Sequence, residues 1–123
     1  MIGYVTLGTN DLKRGAAFYD ALLGEIGARR SMEFEGFIVW ANSKTGPSLA
    51  LASPYDKKKA TVGNGVMVAL EAQDEAQVQR LYDIALANGG SDEGAPGDRG
   101  GGFYAGYFRD PDGNKLNAFV MKG

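Results

Sequence analysis

The sequence predicts an α+β fold made of two tandem βαβββ modules. The chain matches itself at a shift of 63 positions, and each half has the same order of short apolar strands, one amphipathic helix and tight turns. With 123 residues, of which 44% are hydrophobic and 23% charged, the chain has the size and composition of one globular domain. We therefore expect a single domain over residues 1–123, in which a linker at about 55–64 joins module 1 at about 1–54 to module 2 at about 65–123.

The first strand and helix of each module carry the strongest part of the repeat. Residues 2–7 form a predicted strand that is followed by a polar break and an amphipathic helix, and the same pattern returns in module 2. Asn10 is expected to cap the first helix, and Asp74 with Gln77 has the form of a capping box for the second. The identical pairs at this shift are Val5/Val68, Leu7/Leu70, Asp11/Asp74, Tyr19/Tyr82, Asp20/Asp83, Leu23/Leu86 and Gly27/Gly90.

The remainder of each module is predicted to form strands joined by turns. The segment Asp110-Pro111-Asp112-Gly113 is typical of a hairpin turn in which Gly113 supplies a positive φ. The glycine-dense stretch 94–102 is expected to be a flexible loop near the mouth of a site, because it lacks the context of a phosphate-binding loop. The predicted strands lie at 28–34, 36–42 and 48–53 in module 1 and at 91–94, 102–109 and 114–121 in module 2.

Composition excludes several classes of function. The chain has no cysteine and no histidine, so disulfides, thiolate nucleophiles and metal sites built on thiolate or imidazole are excluded. A net charge of −2, with Lys57-Lys58-Lys59 as the only basic run, argues against nucleic-acid binding. No apolar run is long enough to cross a bilayer and the chain starts without a signal-like segment, so we expect no membrane partner and a cytoplasmic location.

Two longer motifs identify a family resemblance. Tyr4-Val5-Thr6-Leu7-Gly8-Thr9-Asn10-Asp11-Leu12 opens into a helix with Phe18-Tyr19, and Tyr107-Phe108-Arg109-Asp110-Pro111-Asp112-Gly113-Asn114-Lys115-Leu116 forms the last hairpin. Together with the duplication, these residues resemble the vicinal oxygen chelate superfamily, which includes glyoxalase I, extradiol dioxygenases, and fosfomycin and bleomycin resistance proteins. The resemblance covers essentially the full length. It implies that the modules pair as an open, curved-sheet barrel with helices on the outside, around a cavity often completed by a partner subunit.

Metal-binding members of that superfamily hold an ion with one pair of side chains from each module. By position, the resemblance places these four ligands on Tyr4, Ala50, Met67 and Asn117 of this chain. A phenol, a methyl group, a thioether and an amide do not compensate for the dehydration of a divalent ion, which needs carboxylate or imidazole donors. We therefore expect no metal and no other cofactor.

A cavity without a metal can still hold a ligand, because small-molecule pockets are mostly apolar with a few polar groups. Strand alternation places Thr6 beside Tyr4 and Glu71 beside Met67, and the register set by the Gly113 turn places Tyr107 opposite Asn117. The expected ligand-binding residues are Tyr4, Thr6, Trp40, Ala50, Met67, Glu71, Tyr107 and Asn117.

Several of these residues have a structural interpretation as well. Met67 could fill the core, and Tyr4 and Tyr107 could lie at an interface between subunits. The face of the strand on which Trp40 lies is not fixed, so core, pocket and interface are all open. Glu71 could lie on the surface. Asn117 is the most informative, because a buried amide is costly unless it is hydrogen-bonded.

The leading hypothesis is a metal-independent protein of the glyoxalase and bleomycin resistance type. It would act as a homodimer and hold a small aromatic or amphipathic molecule in the barrel cavity. The alternative is an enzyme, namely a lyase, isomerase or dioxygenase, with an atypical metal site or with Glu71 or Tyr4 as a metal-free acid or base. A third possibility is a structural or regulatory module whose cavity is filled by its own side chains. The sequence identifies no catalytic residue.

Overall fold

A computed structural model describes residues 1–122 and contains two helices and eight strands in a repeated order. The elements of module 1 are β1 (Tyr4–Gly8), α1 (Leu12–Gly24), β2 (Arg29–Phe34), β3 (Phe37–Ala41) and β4 (Ser48–Ala52). Those of module 2 are β5 (Val68–Glu71), α2 (Glu75–Ala87), β6 (Ser91–Asp98), β7 (Phe103–Arg109) and β8 (Lys115–Met121). The prediction of two tandem βαβββ modules is confirmed.

Each module folds into one four-stranded mixed sheet with the same topology. Sheet 1 has the order β1-β4-β3-β2 and sheet 2 has the order β5-β8-β7-β6. In each sheet the first strand runs parallel to the last strand of its module, and the other pairs are antiparallel. Neither sheet closes into a barrel on itself, so each keeps one face against its helix and one open face.

An aspartate caps the N-terminus of each helix, and for α1 this residue differs from the predicted one. Asp11, and not Asn10, caps α1, because its Oδ1 accepts a hydrogen bond from the Arg14 amide at 3.1 Å. The Asn10 side chain instead bonds both backbone groups of Ala60, which fastens the linker. The Asp74 cap of α2 is confirmed, with its Oδ1 accepting from the Gln77 amide at 2.8 Å.

One hydrophobic core fills the space between the sheets and their helices. Helix α1 contributes Phe18, Tyr19 and Leu22, all fully buried, and α2 contributes Val78 and Leu81. Burial of a Leu or Phe side chain contributes roughly 1.5–3 kcal/mol. The helix faces of both sheets therefore carry most of the stabilisation.

The turn between β7 and β8 of module 2 contacts module 1 through hydrogen bonds. Gly113 has a φ of 93°, as the turn chemistry predicts. Asp110 accepts a hydrogen bond from the buried Tyr19 hydroxyl of α1 at 2.6 Å. Asp112 accepts from the Thr9 hydroxyl at 2.5 Å and pairs with Arg14 at 2.9 Å. The turn that the sequence identified as a hairpin signal thus also holds module 1 against module 2.

The glycine-dense stretch is not the flexible loop that was expected. Strand β6 runs from Ser91 to Asp98, so the stretch is a strand for half of its length, and its pairing with β7 is interrupted by irregularities on either side of Gly94. Glycine and proline lower strand propensity, but a neighbouring strand can still pair with such a segment. The turn that follows contains three consecutive glycines, Gly100, Gly101 and Gly102, all with positive φ.

Both helices have 13 residues. Within residues 1–122, neither of them has the length and apolar character that crossing a membrane requires.

Candidate functional site

Strand alternation gives each sheet a helix face and an open face. In β1, Val5 and Leu7 pack on the core, whereas Tyr4 and Thr6 point the other way and are exposed. We define open face 1 as the side of sheet 1 that carries Tyr4, Thr6, Val39 and Ala50. We define open face 2 as the side of sheet 2 that carries Ala69, Glu71, Tyr107, Lys115, Asn117 and Phe119.

Most of the residues predicted for the site lie on these two faces. Thr6 pairs with Ala50 in the register of β1 and β4, one rung from Tyr4. Tyr107 pairs with Asn117 across β7 and β8, as expected from the Gly113 turn. Asn117 also pairs with Ala69 of β5, and Glu71 lies one rung further along the same strand.

The two open faces do not meet within one chain. Over the described residues 1–122, no Cα atom of a sheet 1 strand lies within 8 Å of a Cα atom of a sheet 2 strand, and the modules touch through α1, α2 and the β7–β8 turn. Tyr4 and Ala50 are therefore on one face, and Asn117 is on the other. Met67, which directly precedes β5, is 41% exposed.

Trp40 is not brought to either open face. Its side chain lies on the helix side of β3, is 1% exposed, and donates from Nε1 to Asp20 Oδ1 at 2.9 Å. Trp40 and Met67 do line one common cavity of about 320 Å³, which lies beside the core between β1 and β5. Most of the other lining side chains of that cavity are apolar, among them Val5, Leu49 and Val68, and Asn42 and Ser48 are the polar ones.

A second cavity, of about 620 Å³, lies over open face 1. Thr6 and Phe37 line its floor, and the linker residues Tyr55 and Ala60 line its side. The Asn10 bonds to Ala60 hold this part of the linker in place. Of the residues predicted for the site, Thr6 is the one that lines this cavity.

The four positions on which the family resemblance places metal ligands do not fit a divalent ion here. Tyr4 and Met67 are exposed on different modules, Ala50 offers only a methyl group, and Asn117 offers a neutral amide. Residues 1–122 contain no cluster of three acidic side chains that could replace them. Hard divalent ions need several anionic or strongly polar oxygen ligands, so we derive no metal chemistry for this site.

Open face 2 has a compact group of polar side chains around Tyr107. The Arg99 guanidinium and the Lys115 ammonium both lie 5.5 Å from the centre of the Tyr107 ring, within the range of cation–π attraction. Gly94 faces Tyr107 in the register, and a Cβ at this position would lie 3.5 Å from both Arg99 Nη2 and the Tyr107 ring. Arg99 was missed by sequence reasoning, because only the distorted β6 strand brings it beside Tyr107.

Asn117 lies under this group and is 1% exposed. Its Oδ1 atom is buried and has no hydrogen-bond partner among residues 1–122. Buried polar atoms in proteins are nearly always hydrogen-bonded, and an exception calls for an explanation such as a ligand. The other buried side chains of this kind, including Asn114 and Asp110, are bonded within the chain.

The side chains with shifted pKa values lie away from the open faces. Burial, reinforced by the neighbouring Asp110 carboxylate, raises the pKa of the Tyr19 hydroxyl well above its usual value. Two hydrogen bonds from Arg30 and one from Trp40 lower the pKa of Asp20. These groups belong to the core and to its edges, so their shifts report structural interactions.

Comparison with known proteins agrees with the fold of two tandem modules. The model of the Glyoxalase/Bleomycin resistance protein/Dioxygenase superfamily matches residues 1–118. A solved glyoxalase/bleomycin resistance protein from Albidiferax ferrireducens T118 is 33% identical, with a TM-score of 0.92 and 99% of both chains covered. The comparison with curated proteins found no match.

More distant solved structures share the fold. A glyoxalase-related enzyme from Fulvimarina pelagi is 24% identical, with a TM-score of 0.79 over 98% of this chain and 87% of that one. The lactoylglutathione lyase of Agrobacterium tumefaciens is 21% identical, with a TM-score of 0.72 over 98% of this chain and 92% of that one.

Fold and site define a protein with two βαβββ modules whose sheets each present an open face. The chain belongs to the Glyoxalase/Bleomycin resistance protein/Dioxygenase superfamily.

Proposed function

We propose that this chain is a metal-independent binding protein for a small aromatic or amphipathic molecule. The observation that carries the proposal is Asn117, whose buried Oδ1 lacks a partner on the face where Tyr107 offers an aromatic surface. A buried acceptor of this kind gains a hydrogen bond when a ligand, a second chain or a water molecule supplies the donor, and the aromatic surface of Tyr107 beside it favours a ligand. The four ligand positions of the superfamily supply no donor set for an ion, which supports binding without a metal.

A homodimer is part of this proposal. Three large apolar side chains on sheet 1 are strongly exposed, namely Tyr4 at 63%, Met32 at 55% and Phe34 at 62%. Tyr4 lies on the edge strand β1, and Met32 and Phe34 lie on the opposite edge strand β2, so exposed apolar side chains border open face 1 on both edges. Exposed apolar surface of this kind is typical of interaction surfaces. Since the two open faces of one chain do not meet, a second copy that covers open face 1 with its open face 2 would enclose a cavity between them.

Ligand-dependent stability with and without a chelator tests the proposal. Untagged protein is screened against aromatic and amphipathic metabolites by thermal shift in buffer containing EDTA, and again with added Zn²⁺, Ni²⁺ or Mn²⁺. A ligand at 100 times its Kd stabilises the fold by about 2.7 kcal/mol, so a true ligand gives a clear rise in Tm. Equal shifts in both buffers support metal-independent binding, whereas shifts that require metal contradict it.

The enzymatic alternative has one observation in its favour. Glu71 is exposed on open face 2, one rung from Asn117, and a carboxylate beside a bound ligand can act as a general base. The substitution Glu71→Gln keeps the shape of the side chain and removes its basicity. Turnover of a bound ligand that disappears in Glu71→Gln, with binding retained, would favour this alternative over simple binding.

A further inference from the structure

We propose that open face 2 recognises a small organic carboxylate that carries a hydroxyl or N–H group close to the carboxylate. The proposal rests on the binding function proposed above and assigns the chemistry of its ligand. It follows from two features of that face, namely two cations without ion-pair partners and a buried acceptor without a hydrogen-bond partner.

The cations on either side of the site are not neutralised. Arg99 donates to the Ala95 carbonyl at 2.6 Å, and within residues 1–122 neither Arg99 nor Lys115 forms an ion pair. Arg109 is different, because it bonds Glu93 at 3.1 Å and the Gly113 carbonyl at 2.9 Å. A cation without an ion-pair partner gains Coulomb energy when an anion lies close to it. The face therefore favours a negatively charged group beside Tyr107.

The acceptor at Asn117 requires a different group. A carboxylate has no proton to donate, so it leaves Oδ1 unpartnered, and a hydroxyl or N–H group is needed. Lys115 and Asn117 lie on the same face of β8 two residues apart, which corresponds to about 6.6 Å along the strand. A hydroxyl on the carbon next to a carboxylate spans part of this distance and allows both groups to be bound together.

The acidic residue of the face limits the ligand to one carboxylate. Glu71 pairs with Phe119, on the side of Asn117 that is opposite to Lys115. A second carboxylate extending in that direction would meet the Glu71 charge. An apolar or aromatic remainder fits better, because Ala69 lies directly beside Asn117 and Phe119 lies beside Glu71. The expected class is a monocarboxylate with an adjacent hydroxyl or N–H and an apolar end.

Titration calorimetry with three matched probes tests this inference. The probes are 2-hydroxy-3-phenylpropanoate, its amide, which removes the charge, and 3-phenylpropanoate, which removes the hydroxyl. We expect the hydroxy acid to bind at least about tenfold tighter than either analogue, because each loses one charge-assisted or buried hydrogen bond. Higher sodium chloride should weaken the two acids more than the amide.

Variants assign each preference to its residue. Arg99→Met with Lys115→Met should remove the preference for the acid over its amide, and Asn117→Leu should remove only the preference for the hydroxyl. Lys13→Met removes an exposed cation on α1 and serves as the control that keeps wild-type affinities. Melting curves establish that each variant is folded.

The outcomes separate this inference from the proposed function. If the amide binds as tightly as the acid, the ligand is not selected as an anion and the inference fails, while small-molecule binding stands. Equal affinity of the hydroxy acid and 3-phenylpropanoate shows that Asn117 Oδ1 is satisfied otherwise, for example by a second copy, and also contradicts the inference. Absence of binding by all three probes, together with no hit in the thermal-shift screen, overturns both proposals.

Discussion

Asn114 and Asn117 are both buried near the start of the last strand, but within residues 1–122 only the Asn114 side chain is hydrogen-bonded. The Nδ2 group of Asn114 donates to the Gly8 carbonyl at 2.9 Å and to Asp110 Oδ2 at 2.8 Å. Asn117 Oδ1 has no partner in residues 1–122. The asparagine side chain therefore stabilises the fold at position 114, whereas at position 117 its oxygen lacks a hydrogen bond. Replacing each asparagine by leucine gives a matched pair of substitutions.

Asn117→Leu is expected to raise the free energy of unfolding by about 1 kcal/mol, because it replaces an unsatisfied buried amide by an apolar group of similar size. Asn114→Leu is expected to lower it by about 2–3 kcal/mol, because the Gly8 carbonyl and Asp110 lose a donor. Urea denaturation of both variants checks this pair. A large loss of stability in Asn117→Leu would show that its amide is bonded in the native protein and would contradict the ligand role.

The junction between the modules depends on Tyr19. Tyr19→Phe removes the hydrogen bond to the Asp110 carboxylate and is expected to lower the free energy of unfolding by about 1.5–3 kcal/mol. Urea denaturation measures the loss. Phe18 is equally buried but has no polar group. Phe18→Leu therefore measures the cost of a change in core packing alone, with which the loss in Tyr19→Phe is compared. If Tyr19→Phe is neutral, the turn does not hold the modules together through this bond.

Tyr19 also makes the free energy of unfolding depend on pH in the alkaline range. Because its pKa is raised in the folded state, the unfolded chain loses the phenolic proton first, near pH 10. Above that pH the unfolded state binds fewer protons than the folded state, so the free energy of unfolding falls as pH rises. Tyr19→Phe should show a shallower decline between about pH 10 and 11. An unchanged slope would mean that Tyr19 ionises freely in the folded protein.

Asp20 makes the free energy of unfolding depend on pH in the acid range. The hydrogen bonds from Arg30 Nε at 2.9 Å and Trp40 Nε1 at 2.9 Å favour its charged form, which lowers its pKa. Its stabilising contribution is present above the ordinary aspartate pKa and is lost as pH falls through the lowered value. Asp20→Asn should therefore flatten the stability profile below about pH 4. Thermal melts at a series of pH values test this, with Asp83→Asn of the second module as control.

The proposed dimer makes open face 1 sensitive to charge. Tyr4→Glu and Phe34→Glu place a charge among exposed apolar side chains and should shift the protein toward monomer in sedimentation equilibrium. Ala17→Glu adds the same charge on the exposed side of α1 and should leave the association unchanged. Dissociation in Ala17→Glu alone would place the interface on the helices.

Local chemistry explains which parts of this structure the sequence could predict. The repeat, the Gly113 turn and the pairing of Tyr107 with Asn117 depend on short-range periodicity and turn geometry, and these predictions are confirmed. Alternation also placed Tyr4 and Thr6 on one face of β1. These features need only neighbouring residues and one hairpin register.

Features that depend on distant contacts were missed. The cap of α1 moved from Asn10 to Asp11 because the linker residue Ala60 occupies the Asn10 side chain. Strand β6 forms because β7 supplies a partner for a glycine-rich segment, and this brings Arg99 to Tyr107. Trp40 was predicted as a ligand-binding residue with its strand face left open, because no local signal shows that its indole lies on the helix side and bonds Asp20. Each of these outcomes is decided by a tertiary contact.

Metal binding at equilibrium tests the proposed function most directly. Untagged protein, first freed of metals with EDTA, is dialysed against micromolar Zn²⁺, Ni²⁺, Mn²⁺ or Fe²⁺, and the bound metal is measured by elemental analysis. Because Tyr4, Ala50, Met67 and Asn117 provide no anionic donor set, we predict no stoichiometric uptake of any of these ions. One ion bound per chain, lost on substitution of Tyr4 and Asn117, would contradict metal-independent binding.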